Sequence, residues 1–212
     1  MTIKPSFIEI LHSRFIILRR IRVLAGHISP LLPVKAKLLD VGCGDGILAA
    51  QIMKLRPDVS ISGIDVLARE NPRLDVQVYD GKIIPFRDDS FDCVLLADVL
   101  HHSEDIPGLL RECARVAGHL VIIKDHLPEG LLARRTLDLM DRVGNARFGV
   151  SMDCTYLNRK QWTDLFSELG LGCVKWSGRL GIYPWPLSMV FDRGLHFLAQ
   201  LNTGEPKDGL SG

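Results

Sequence analysis

The sequence lacks any strong charge bias, any cysteine pairing pattern and any apolar run long enough to cross a membrane. Its 26 basic and 25 acidic residues leave a formal net charge of +1. That balance gives no global electrostatic pull toward nucleic acid. The five cysteines, at 43, 93, 113, 154 and 173, contain no CxxC pair and are odd in number. Such a set suits reduced thiols in a cytoplasmic protein better than a disulfide framework or a zinc site. Near the N-terminus, FIILRRIRVL is apolar, but it is too short and too interrupted by arginine for a span, and it lacks the layout of a signal peptide. Repeats and low-complexity tracts are missing as well, and only NTGEPKDGLSG reads as a loose tail.

What remains is an ordinary composition, 47% hydrophobic over 212 residues, enough to bury the core of one domain. From residue 38 onward short apolar runs alternate with helical patterns, which implies a mostly parallel sheet covered by helices on both faces, a doubly wound α/β fold. Strands are expected at 38–42, 60–65, 76–80, 91–97 and 119–124, with helices at 46–55, 105–117, 130–143 and 159–169, the last capped by Asn158. The runs 172–177 and 196–201 read as a closing antiparallel pair, and residues 6–28 as a leading helix set apart by Pro30 and Pro33. The expected division is one domain: a helical segment (1–37), a core (38–126), an insertion (127–158), the rest of the sheet (159–202) and a tail (203–212).

LLDVGCGDG at 38–46 is a strand, a tight turn and a helix start, with glycines at 42, 44 and 46. Glycines in that place let a ligand approach the backbone. A dinucleotide fingerprint would need a third glycine where Ile47 stands, and Asp45 at the helix entrance would repel a pyrophosphate. No GK[ST] follows, so a P-loop is excluded too. The turn therefore suits a nucleoside without phosphates. Acidic residues close three successive candidate strands, Asp40, Asp65 and Asp80, and are expected along one edge, where ligands bind in such sheets.

Over residues 36–126 the chain resembles the class I S-adenosylmethionine-dependent methyltransferases, in their small-molecule branch. LLDVGCGDG is similar to their first motif, GIDV at 63–66 to the acidic end of their second strand, YDG at 79–81 to their adenine contact, and FDCVLLADVLHHSED at 91–105 to their fourth motif. The resemblance implies a seven-stranded Rossmann-like sheet, S-adenosylmethionine as cofactor, and a small organic or lipid-like acceptor rather than nucleic acid. It implies that Asp65 and Val66 meet the ribose, that Asp80 and Gly81 meet the adenine, and that Asp40, Gly42, Gly44, Ala97, Asp98 and His101 surround the methionine end. A carboxylate can accept from both hydroxyls of a ribose diol, which suits Asp65. A non-catalytic module that only binds the cofactor is the rival reading.

Methyl transfer needs a general base only where the acceptor must lose a proton. His101 and His102 after the fourth strand, and Asp125 and His126 after the fifth, are the groups at hand, with His102, Asp125 and His126 the candidate catalytic set and His101 packing on the cofactor or capping the next helix. No recognised metal-ligand spacing is present, although His102, Asp125 and His126 would offer imidazole and carboxylate ligands. The NPPY motif of amine and amide methylation is replaced by ADVLHH. The insertion is expected to cover the acceptor, with Arg134, Arg135, Arg142 and Arg147 for an anionic group or simply solvated, and Phe148 and Tyr156 for an apolar one. Trp162, on the amphipathic helix that follows, could join them, with core packing the default. The leading helix carries Arg14, Arg19, Arg20 and Arg22 among apolar residues, a pattern that fits either packing on the sheet or contact with an anionic membrane surface.

Overall fold

A computed structural model describes residues 7–130, 132–145 and 154–204. Arg147 and Phe148, and the side chains of Arg14 and Arg142, lie outside the described residues. Seven strands form one sheet in the order β3-β2-β1-β4-β5-β7-β6. They are β1 (Lys37–Val41), β2 (Ser60–Asp65), β3 (Val76–Val78), β4 (Phe91–Ala97), β5 (Ala117–His126), β6 (Gly172–Ser177) and β7 (His196–Asn202). The first five run parallel, and β7 lies antiparallel between β5 and β6. Chain order turns back between β1 and β4, so the crevice beyond their carboxyl ends is the place where such sheets take ligands.

Helices cover both faces because the central strands are apolar on both sides. On one face α1 (Phe7–Ile28) and α2 (Ile47–Leu55) bring Leu24, Ala25, Ile28 and Ile52 onto Leu38, Leu95, Ile122 and Leu198. On the other, α3 (Ile106–Val116) and α5 (Arg159–Glu168) bring Leu110, Cys113, Trp162 and Phe166 onto Val94, Val121, Ile123 and Phe197. Trp162 is core: its ring lies 5.7 Å from Phe166 and 5.3 Å from Phe197. Asn158 caps α5 as expected, its side chain accepting from the Gln161 N–H at 2.9 Å while the Gln161 side chain answers the Asn158 N–H. The cap of α3 is Asp105, not His101. The remaining helices are α4 (Ala133–Asn145) and α6 (Ser188–Phe191), the latter a four-residue piece too short to show a period in sequence.

Two strand boundaries differ from expectation in ways that bear on the site. β5 begins at Ala117 and runs through His126, so Asp125 and His126 are strand residues rather than part of a following loop. The cause is β7, which pairs Asp125 with Phe197 and His126 with His196 beyond the point where β4 has ended. Both side chains meet at the end of the sheet, where His126 Nδ1 lies 3.6 Å from Asp125 Oδ1. β3, an edge strand, stops at Val78, which leaves Asp80 in the turn that follows.

Candidate active site

The first βα turn is hooked onto the end of β2. The N–H groups of Gly42 and Cys43 both donate to the Ile64 carbonyl, at 2.8 and 3.1 Å, and the Gly44 N–H donates to Asp65 Oδ2 at 2.8 Å. Gly42, Gly44 and Gly46 all have positive φ, from +59° to +74°. A side chain at Gly46 would strike Leu74, whereas a Cβ built at Gly44 would meet nothing within 4 Å. Gly44 thus rims open space, while Gly46 packs tightly. At the helix entrance Asp45 accepts the Ile47 N–H at 3.2 Å and stands 3.9 Å from Arg73, so its carboxylate covers one of the donors a phosphate would use.

The three acids of this edge are in unlike states. Asp65 is buried and accepts from Gly44 and, through Oδ1, from the Leu67 N–H at 2.9 Å. Asp40, in β1, is buried with Oδ2 lacking any hydrogen-bond partner among the described residues, and burial together with the nearby Asp65 pushes its carboxyl up to about 7. Asp80 is exposed; its Oδ1 accepts from the Lys82 and Ile83 N–H groups, both at 2.8 Å, which hold it below its ordinary range. Val66 is half-exposed beside Gly81, where an added Cβ would come within 2.9 Å of it.

Beyond β4 and β5 lies a buried chain of charged and imidazole groups. Asp98, at φ +60°, directly follows Ala97, and its carboxylate is bonded to Arg20 of α1 and to Lys124 of β5. Lys124 is fully buried and approaches His196 Nδ1 at 3.3 Å. Burial would raise Asp98, but Arg20 and Lys124 outweigh it and keep the carboxyl well below its usual range. Burial lowers Lys124, and Asp98 opposes that shift. His126 stands 3.6 Å from Asp98 and 3.6 Å from Asp125; burial and then Lys124 lower its basicity, as they do for His196, so both rings are neutral near pH 7.

Asp125 Oδ1 is 2.6 Å from His101 Nδ1 and accepts the His126 N–H at 2.7 Å, and the His101 and His126 ring centroids are 4.8 Å apart. Burial alone would raise Asp125; the contact with His101 reverses this and lowers it. His101 and His102 belong to a 3-10 turn, Leu100–His102, with ring centroids 4.0 Å apart, and Tyr156 stacks 5.7 Å from His101. His102 is half-exposed, its Nδ1 3.5 Å from Cys154 Sγ. The structure therefore joins His101, rather than His102, to Asp125. Sequence reasoning gives Lys124 and Cys154 no part in the site and reads Arg20 only as one of the arginines of the leading helix; the one signal for Lys124 is that a lysine ends the apolar run HLVIIK. In the insertion Arg134 and Arg135 are exposed. Arg159, Arg179 and Arg193 line an open groove of about 830 Å³ next to Trp176 and Leu127, together with Glu129 and Asp192.

Asp40 gives a pH signature. Its folded value, about 7, lies above the ordinary 3.8, so the folded state holds the proton more tightly. Its contribution to stability is full below about 3.8 and is lost as pH rises through 7. The loss reaches about 4 kcal/mol at most. Asp40→Asn is expected to gain in Tm over the parent as pH is raised from 5 to 8, measured by thermal unfolding without ligand; a pH-independent difference would show that Asp40 is ionised throughout.

Residues 12–175 match a family described as the methyltransferase domain. The 27-O-demethylrifamycin SV methyltransferase of Amycolatopsis mediterranei is 32% identical over 108 residues, covering 44% of this chain and 39% of that protein. The demethylmenaquinone methyltransferase of Thermotoga maritima is 32% identical over 98 residues, covering 42% and 43% respectively. The chain thus spans less than half the length of these two curated relatives. In fold it is like a solved S-adenosylmethionine-dependent methyltransferase of Thermotoga maritima, with a TM-score of 0.66 at 18% identity over 91% of this chain and 94% of that one. The family match begins within the helix that supplies Arg20 and ends within β6, enclosing the glycine turn and both histidine groups, and on that ground the chain belongs to the methyltransferase domain family.

Proposed function

We propose that the protein transfers a methyl group from S-adenosylmethionine to a small organic or lipid-like acceptor. The observation that carries this reading is the open space beside Gly44, rimmed by a positive-φ turn and acidic side chains, with the helix entrance occupied by Asp45. A phosphate-free, cationic nucleoside fits that lining; a dinucleotide does not. Asp65 already accepts two backbone bonds, and a carboxylate has about four acceptor sites, so two remain for a ribose diol. Asp80 and Gly81, with Val66 opposite, would border the base. Asp40, the Gly42 and Gly44 backbone and the Ala97 carbonyl would border the methionine end, with Asp98 held there by Arg20 and Lys124. When bound, the donor supplies an electrophilic methyl on a sulfonium.

The chain's own part is to hold the acceptor in line, to exclude water and, where needed, to take a proton. His102 is the half-exposed imidazole of the set. Asp125 acts on it through His101, as a positioning residue. The buried His126 is kept neutral, which suits a proton acceptor, but it faces Lys124. In the groove near Leu127, Arg159, Arg179 and Arg193 outnumber Glu129 and Asp192 by one charge, a modest preference for an acceptor bearing an anionic group. Contact with a membrane is supported by the exposed Phe15, Ile17 and Leu18 of α1 next to exposed Arg22; it is opposed by Arg20, which turns inward to Asp98, and by Arg19, which donates to the Gly181 carbonyl at 3.2 Å.

Calorimetric titration with S-adenosylmethionine tests the donor. Asp65→Ala is expected to weaken binding about a hundredfold, the effect of losing charge-assisted bonds worth roughly 2 to 3 kcal/mol. Gly44→Val is expected to abolish it in a folded protein, and binding equal to the parent in both variants would place the donor elsewhere. For the chemistry, label from the donor is followed into a cell extract by mass spectrometry. His102→Ala and Asp125→Asn should slow transfer by about a hundred to ten thousandfold with donor affinity unchanged. Full activity in both means an acceptor that is already nucleophilic, and donor binding with no transfer at all means a binding module. Flotation on anionic vesicles at low salt, lost at high salt, is the expected result for membrane contact; no flotation leaves a soluble acceptor.

A further inference from the structure

Three soft or borderline metal donors converge where the sequence shows no ligand spacing. One ligand atom each from His101, His102 and Cys154 lies within 4.8 Å of the others. The His102 Nδ1 to Cys154 Sγ distance, 3.5 Å, is already that between two ligands on one ion, since bonds of about 2.0 to 2.3 Å in a tetrahedral site separate ligand atoms by roughly 3.3 to 3.8 Å. A backbone bond fixes the register: the Thr155 N–H, next in chain to Cys154, donates to the His101 carbonyl at 2.8 Å. Cys154 is thereby presented to the two histidines by main-chain structure and not by the chance position of a long side chain.

We propose that His101, His102 and Cys154 form a binding site for a thiophilic divalent metal of the zinc class. Two imidazoles and a thiol suit zinc, or cobalt as its spectroscopic stand-in, and suit magnesium or calcium poorly. Asp125 stands behind His101 in the place of the carboxylate that commonly orients a ligating imidazole: its bond to Nδ1 makes Nε2 the lone-pair nitrogen. The half-exposed His102 and Cys154 give an ion a way in. A second cluster, His101, Asp125 and His126, is geometrically near but chemically poorer. It is sealed from solvent, and His126 lies in the field of the Lys124 ammonium, which repels a cation. Three protein ligands leave a fourth position for water or for a hydroxyl, thiol or carboxylate of a bound molecule, the arrangement of reactive zinc sites. The metal would also tie the segment after α4 to the turn after β4.

The site shares His102 and Asp125 with the methyl-transfer reading, and with the ion bound His102 is a ligand and not a base; the test reads metal and not turnover, so the two readings can fail separately. Tag-free, full-length protein is titrated with cobalt chloride under reducing conditions. The expected result is one ion per chain with a near-ultraviolet thiolate-to-cobalt charge-transfer band, abolished by Cys154→Ser and by His102→Ala. Asp125→Asn is expected to keep the band and to weaken affinity about ten- to a hundredfold, the usual effect of removing the carboxylate behind a ligand. Zinc should raise the Tm of the parent and leave that of Cys154→Ser unchanged. A parent that takes up no cobalt, uptake without the thiolate band, or a Cys154→Ser protein that binds and is stabilised like the parent, each overturns the assignment. Titration with S-adenosylmethionine in the same buffers reports separately on the donor site.

Discussion

The hydrogen bonds that fasten the first glycine turn to the end of β2 are the constraint on which the site rests. Three successive N–H groups, of Gly42, Cys43 and Gly44, are spent on Ile64 and Asp65. An L-residue with a side chain strongly resists positive φ, so three left-handed positions in five residues are accessible only to a glycine-rich run. With the turn fixed, β1 and β2 are locked in register, α2 starts where the crevice opens, and the space beside Gly44 is kept clear by backbone geometry and not by a mobile side chain. Asp65 contributes to the loop's shape through both of its oxygens, Oδ2 to the Gly44 N–H and Oδ1 to the Leu67 N–H.

A second constraint is electrostatic. A lysine with no solvent exposure is tolerable only where its charge is met, and Lys124 is met by Asp98, which is shared with Arg20. Deleting one member would leave a buried charge uncompensated, the kind of change that costs about 3 to 5 kcal/mol. Because Arg20 comes from α1, the leading helix is connected to the carboxyl end of β4 by charge as well as by the apolar packing of Leu24 and Ile28. The helix whose sequence pattern fits either packing on the sheet or a membrane surface is, over its second half, packed on the sheet and tied to Asp98.

The strands were legible because parallel strands buried on both faces must be continuously apolar, as in FDCVLLA and HLVIIK, and the glycine turn was legible because few other structures need that spacing. The acids at 40, 65 and 80 were found for the same reason, although only the structure separates a buried, proton-holding Asp40 from an exposed Asp80 that caps a turn. Contacts made across long sequence separations were not legible. The pairing of His101 with Asp125, of Arg20 with Asp98 and of His102 with Cys154 joins residues 24, 78 and 52 positions apart. No local period reports such contacts. The true length of β5 escaped for a related reason: it is set by a partner strand some seventy residues later in the chain, not by its own composition.

The place of β7 has a consequence for how the molecule is made. The strand that fills the gap between β5 and β6 is the seventh of the seven, so during synthesis the hydrogen-bonding edge of β5 is exposed until residues 196–202 have left the ribosome. An uncovered edge of apolar residues is a template for pairing with another chain. Until that late insertion occurs, Asp125, His126 and Lys124 border an unfinished sheet, and the nascent protein carries its histidine cluster on the one strand most in need of protection from its neighbours.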